Sequence, residues 1–196
     1  MSELTLGGRR ITDAADLLRR YCGLRWSGGE PEVWAYSYYD ALHDTDSNDV
    51  GPIDVLAAAA LHPKISRADL EWFARHRKTL QGFLVHMPEG VDLADADPTL
   101  VNAIPTLAGR GVELSLLSKV LHRKRPKLIP LLDRTLTGWY RRQLRTQSAA
   151  AWPDLVRALA EDLRGNADEI EALRPIAPLT DLRIADIVIW MESQHR

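Results

Sequence analysis

The sequence predicts an all-α fold. Apolar residues recur at i, i+3 and i+4 spacing along most of the 196 residues, while clean period-two alternation is nearly absent. Ser, Asp, Gly and Pro also fall where caps are needed at the ends of those runs. With 45% hydrophobic residues the chain can bury a real core. A single globular unit is expected, with approximate lobes over 24–108 and 109–196 and residues 1–23 packing on the second.

The first helix follows Thr12, turns Ala15, Leu17, Leu18 and Tyr21 inward, and meets Gly23, which suits the left-handed position after a helix. Trp34, Tyr36 and Tyr38 alternate beyond it, too briefly to assign a strand. Pro52 starts a helix reaching Leu61, where His62-Pro63 stops it. Ser66 and Asp69 form a capping box ahead of Leu70, Trp72, Phe73 and Leu80. Asp97-Pro98 is another start signal. Leu114 to Leu121 and Leu136 to Leu144 give two helices separated by the proline-punctuated segment Arg125 to Pro130. Periodicity places three more at Pro153 to Arg164, Ala167 to Leu173 and Asp181 to Gln194, the last apolar enough to belong to the core.

The formal charge is only -2, which singles out no partner. The total hides a segment holding Arg110, Lys119, Arg123, Lys124, Arg125, Lys127, Arg134, Arg141, Arg142 and Arg145 against only Glu113 and Asp133. That is +8 locally and -10 elsewhere, an asymmetry that predicts a polyanion-binding face, with His122 to Lys127 as its densest part. The same cations at a helix C-terminus would also complement the helix dipole.

Several chemistries are excluded. Cys22 is the one cysteine, so no internal disulfide and no four-cysteine iron-sulfur site can form. The six histidines include no HExxH or paired-ligand spacing, and neither a GxxxxGK[ST] nor a GxGxxG phosphate loop occurs. The run from Asp44 to Asp49 imitates a calcium loop but has Asp49 in place of the turn glycine and Val55 in place of the closing Glu. No metal and no cofactor is expected. No apolar run approaches the roughly 18 residues of a membrane span, and the start lacks a signal-peptide core, so a cytoplasmic protein off the membrane is expected.

The order of elements from Ala108 to Tyr140 is more specific than the charge. Gly109-Arg110-Gly111-Val112 precedes a helix, a basic turn, and then Leu128-Ile129-Pro130-Leu131-Leu132-Asp133 opening another helix. This resembles the helix-hairpin-helix DNA glycosylases, in which a glycine hairpin presents backbone N-H groups to a DNA phosphate and an Asp follows about twenty residues later. Gly111 and Asp133 are 22 apart. The stretch Leu117 to Asp133 also resembles an uncharacterised actinobacterial family with the signature SKLLHRKRPRLIPxxD; Tyr36 to Asp40 and Asp54 to Ala57 fit the same pattern.

The resemblance implies two helical lobes around a basic groove, DNA as partner and base excision as activity. Gly109, Arg110, Gly111, Lys119, His122, Arg123, Lys124, Arg125, Lys127 and Arg134 would contact nucleic acid. Asp133 would stabilise positive charge developing on the sugar as the base departs. An acid entering a helix after an extended segment is otherwise an N-cap, and both readings stand at this point. Bifunctional relatives carry a nucleophilic Lys just after the hairpin glycine, where this chain has Glu113 and Leu114, so monofunctional excision is expected and Lys119 is read as a phosphate contact. Trp34, Tyr36, Tyr38, Tyr39, Trp139 and Tyr140 could stack on a flipped base or simply pack in the core. The alternative function is a non-catalytic nucleic-acid-binding or regulatory module of the same fold; sequence leaves the oligomeric state open.

Overall fold

The computed structural model describes residues 3–42, 46–62, 64–109, 111–141 and 152–194. It opens with an element that helical periodicity does not signal. Gly7 and Gly8 take φ of 59° and 69°, the left-handed values of a two-residue hairpin turn, and pair Leu4–Leu6 (β1) antiparallel with Arg9–Ile11 (β2). Leu4, Leu6 and Ile11 face the core. A Cβ on Gly7 would lie 2.6 Å from Trp139 Cδ1, so space as well as φ reserves the position for glycine. The fold is therefore mostly helical with one short two-stranded ribbon.

Helix α1 spans Ala14–Tyr21 and buries Ala14, Leu17, Leu18 and Tyr21. Gly23, at φ 68°, closes it as the N-H groups of Gly23 and Leu24 return to the carbonyls of Arg20 and Arg19. The alternating aromatics form a 3-10 turn over Ala35–Tyr38. Helix α2 covers Pro52–Ala58, and i to i-3 bonds carry a tighter turn on to Leu61. Helix α3 covers Arg67–Val85 behind the Ser66 and Asp69 capping box. Its buried stripe is Trp72, Phe73, Leu80 and Leu84, whereas Leu70 in its first turn is 43% exposed.

Asp97 caps a 3-10 turn at Pro98–Val101, and α4 follows at Ile104–Ala108. Then come α5 (Leu114–Lys124), α6 (Arg134–Trp139), α7 (Trp152–Gly165), α8 (Ala167–Glu171) and α9 (Asp181–Ser193). Helix α6 stops short of the expected Leu144, of which the last three positions lie outside the described residues.

Helix α9 is the centre of the packing. It is apolar on nearly every face, and α1, α6, α7 and α8 all lie against it, while α2 and α4 pack on α5. The N-terminal segment joins the second half of the chain, α1 on α9 and β1 on α7. The buried apolar side chains form one contiguous cluster. Among the described residues no helix is long and apolar enough to cross a membrane.

Candidate functional site

The basic turn after α5 faces inward. Arg123 donates to Asp54 Oδ1 at 3.1 Å and to the carbonyls of Tyr39 and Leu42, and Lys124 pairs with Asp54 Oδ2 at 2.9 Å. These side chains are 4% and 1% exposed. Arg125 spends its guanidinium on Asn48 and on the carbonyls of Ser47, Leu84, Met87 and Lys124, which closes the C-terminus of α3. His122 is buried and hydrogen-bonded through Nδ1 to the Ile129 carbonyl at 2.6 Å. As phosphate contacts these four are corrected: Arg123, Lys124 and Arg125 are spent on the protein's own acceptors, and His122 is buried. Lys127 is half-exposed and paired with Asp92 at 3.1 Å, and Arg134 is exposed beside Asp133. Arg110, Arg142 and Arg145 lie outside the described residues.

The glycine hairpin is also spent internally. Gly109 N-H returns to the Pro105 carbonyl at 3.0 Å, and the N-H groups of Gly111 and Val112 return to Ala108 at 3.1 and 3.2 Å. They terminate α4, so they are not open to a phosphate, although both glycines are exposed. Gly111 has φ 112°, which explains its residue type by conformation alone.

What the same stretch does instead is carry Asp133 to a pocket. The buried α5 face holds Ser118 and His122. Ser118 Oγ accepts from Leu132 N at 2.9 Å and His122 holds Ile129, so two side chains of one helix clamp the extended segment on which Asp133 sits. Asp133 Oδ1 accepts from Leu136 N at 2.7 Å and caps α6. The carboxylate also lines a pocket of about 300 Å3, together with Lys119 on α5, Arg183 and Asp186 on α9, and Tyr21 on α1. Trp34 and Trp190, in edge contact at 5.3 Å, form its aromatic wall, completed by Leu61, Leu131 and Ile187. Such a site, mostly apolar with a few convergent charges, has the size and character of a ring-binding pocket. A wider hollow lined by Glu3, Glu161, Asp162, Asp168 and Glu169 is open and acidic, with no aromatic wall.

Electrostatics single out the pocket further. Arg183 binds Asp40 in bidentate fashion, at 2.6 and 3.0 Å, and also contacts Asp186 and the Tyr21 hydroxyl. Tyr21 donates to Asp40 at 2.8 Å. Burial pushes the Asp186 carboxyl up, and nearby Asp133 adds to this against the opposing pull of Arg183, leaving it at about 7. Burial pushes Lys119 below the ordinary lysine range even though Asp133 and Asp186 favour its charge. Lys119 is 4% exposed, and its ammonium makes no hydrogen bond or salt bridge among the described residues. It is a pocket residue and not a surface phosphate contact, which corrects the sequence expectation.

His122 carries a pH prediction. Burial lowers it to about 4 from an ordinary 6.5, with Arg183 adding to the effect. Between those values the unfolded chain binds the proton and the folded chain does not, so this contribution to stability is full above 6.5 and is lost as pH falls toward 4. The loss is on the order of 3 kcal/mol. Urea unfolding at about pH 7 and about pH 4.5 should show a smaller acid loss in His122→Gln than in wild type. Comparing the two proteins cancels the carboxyl titrations they share.

Of the six aromatics considered for base stacking, Trp34 lines the pocket. Tyr38 is 62% exposed on an adjoining apolar apron with Val33, Leu42, Ile53 and Leu56. Tyr36 stands edge-on to Tyr21, and Tyr39 is buried beneath, its hydroxyl on the Lys119 carbonyl at 2.5 Å. Trp139 and Tyr140 are structural: Trp139 donates to the Leu6 carbonyl at 2.7 Å, and Tyr140 to Asp162 at 2.6 Å. Sequence reasoning did not find Tyr21, Asp40, Arg183, Asp186 or Trp190. The available signal was in α9, where Arg183 and Asp186 interrupt a run too apolar to offer them a solvent face.

No curated protein and no solved structure matches this chain. Residues 14–193 match the family described as a family of unknown function, DUF6308. That span takes in α1, the Asp133 segment and α9, so every residue of the pocket falls inside it, and the chain belongs to the DUF6308 family.

Proposed function

We propose that this protein is an N-glycosidic bond hydrolase of the DNA glycosylase type, with Asp133 facing the sugar and the pocket holding the base. The observation that carries this is the meeting of Asp133 and Lys119, from two different helices, in one aromatic-walled pocket about the size of a heterocyclic base. A carboxylate held by its capping bond beside a low-dielectric wall suits stabilisation of an oxocarbenium charge. Arg134, next in sequence and exposed, would be the cation offered to a phosphate of the bound strand.

A second reading keeps the chemistry but replaces DNA by a free nucleoside. It is favoured by the inward turn of His122, Arg123, Lys124 and Arg125, and by the apolar apron of Val33, Tyr38 and Leu42 that shares Trp34 and Ala35 with the pocket.

Binding distinguishes them. A duplex carrying a tetrahydrofuran abasic analogue should bind about 10-fold or more tighter than the intact duplex if DNA is the substrate, because an excision site grips the product-like sugar. Equal and salt-sensitive binding to both would instead indicate a non-catalytic module. Binding to neither, with base release from nucleosides detected by chromatography, would select the second reading.

A further inference from the structure

We propose that Asp186 is the second carboxyl group of this reaction, the acid that protonates the departing base while Asp133 faces the sugar. The inference rests on the glycosidic reading above and adds to it a proton donor. Its basis is the placement of charge around one small space. Asp186 and Asp133 come from α9 and the N-terminus of α6 and line the same pocket. Asp186 is 8% exposed, and the groups facing it are Arg183 on its own helix, Lys119 from α5, Asp133 from α6, and Asp40. The phenols of Tyr21, Tyr39 and Tyr140 also stand near, neutral and raised by burial.

Counting these groups shows why a proton stays. Three carboxyls, Asp40, Asp133 and Asp186, meet two cations, Arg183 and Lys119. Arg183 is held bidentate by Asp40, so Asp186 receives only the remaining edge of the guanidinium. Asp133 has its own partner in the Leu136 N-H, at 2.7 Å, and makes no direct bond to Arg183 among the described residues. Of the two carboxyls that line the pocket, Asp186 is thus the one whose surroundings hold a proton on it near neutral pH. A carboxyl that its environment raises in this way, beside a second one in the same pocket, is suited to be the acid.

The chemistry balances with water as the co-reactant. The bond from C1′ to the base nitrogen breaks and its electron pair leaves on the base, which takes the proton of Asp186. The positive charge on C1′ and the ring oxygen faces Asp133. Water then adds its oxygen to C1′, and the proton it releases restores Asp186.

The test joins one measurement that needs no substrate to one that does. Carbon NMR of the protein with labelled Asp carboxyls should show one group titrating near 7, absent in Asp186→Asn and shifted to lower pH in Asp133→Asn. An Asp186 that titrates in the ordinary carboxylate range overturns the proposal whatever the activity. Base release is then followed in single-turnover reactions on duplexes bearing uracil, hypoxanthine or alkylated purines, and on free nucleosides. The wild-type rate should fall about tenfold per pH unit above the carboxyl's titration, and Asp186→Asn should be about 100-fold slower with that dependence gone. Asp186→Glu, which keeps an acid, should recover the alkaline fall at a reduced rate; melting curves confirm that both variants fold. Base release by Asp186→Asn within about threefold of wild type, with the alkaline fall intact, overturns the acid's role alone. A neutral titration without base release from any of these substrates overturns the glycosidic reading, and the acid's role with it.

Discussion

Asp54→Ala is expected to destabilise the fold by about 3–5 kcal/mol, the cost of breaking a buried ion pair from one side. Asp54 is 1% exposed and accepts from Arg123, Lys124 and the Gly51 N-H, the last at 2.8 Å. Truncation leaves Arg123 and Lys124 with their principal counter-charge gone in a nearly buried region, and removes the carboxylate acceptor of the Gly51 N-H at the start of α2. Arg123 keeps the Tyr39 and Leu42 carbonyls, which limits the loss without supplying a negative charge. Urea unfolding read by helical circular dichroism measures the effect. Asp54→Asn, which retains an acceptor for Gly51, should fall between wild type and Asp54→Ala. Adding Lys124→Met to Asp54→Ala should recover part of the loss, because it removes one of the two buried cations that faced Asp54. A cost below about 1 kcal/mol for Asp54→Ala would show that solvent enters this turn and would return Arg123 and Lys124 to the surface inventory.

The most legible helices were those stated twice, by apolar spacing and by a cap or stop signal. Ser66 with Asp69, Gly23 after α1 and Asp133 ahead of α6 all sit where the structure places them. The ribbon at the start escaped because three-residue strands carry too few alternations to outweigh helical periodicity elsewhere; Gly7-Gly8 between Leu6 and Arg9 was its available signal. The basic turn misled for a different reason. Charge in sequence reports composition and not direction, and the acceptors that draw Arg123, Lys124 and Arg125 inward come from Tyr39, Leu42, Ser47, Asn48, Asp54, Leu84 and Met87, far away along the chain.

The candidate site divides along the same line. Asp133 could be read because its role depends on neighbours in sequence, the extended Pro-containing approach and the helix it opens. Lys119 could be named but not placed, since its burial follows from the packing of α5 among α2, α4 and the Asp133 segment. Asp186 and Arg183 needed Asp40 and Tyr21 to explain them, partners more than 140 residues earlier. The segments Tyr36 to Asp40 and Asp54 to Ala57, which carry the sequence resemblance together with the Asp133 stretch, turn out to supply the acceptors of those buried cations. The resemblance therefore traces a polar framework as much as a surface.

Asp133→Asn should leave the fold unchanged and remove the site's preference for a cationic sugar. Asn caps a helix nearly as well as Asp, so the bond to Leu136 N survives and the melting temperature should stay within a few degrees of wild type. What the substitution deletes is the negative charge. If that charge stabilises an oxocarbenium ion, a duplex whose abasic position carries a protonated pyrrolidine ring should bind wild type about 10-fold or more tighter than one carrying neutral tetrahydrofuran. In Asp133→Asn the two duplexes should bind alike. Lys119 provides the opposing control: it shares the pocket as a cation-forming group, so Lys119→Met should increase the preference for the charged ring, since one repulsive neighbour is gone. A pyrrolidine preference that persists in Asp133→Asn would reassign the stabilising charge to Asp186, and the absence of any preference in wild type would leave Asp133 as the cap of α6 alone.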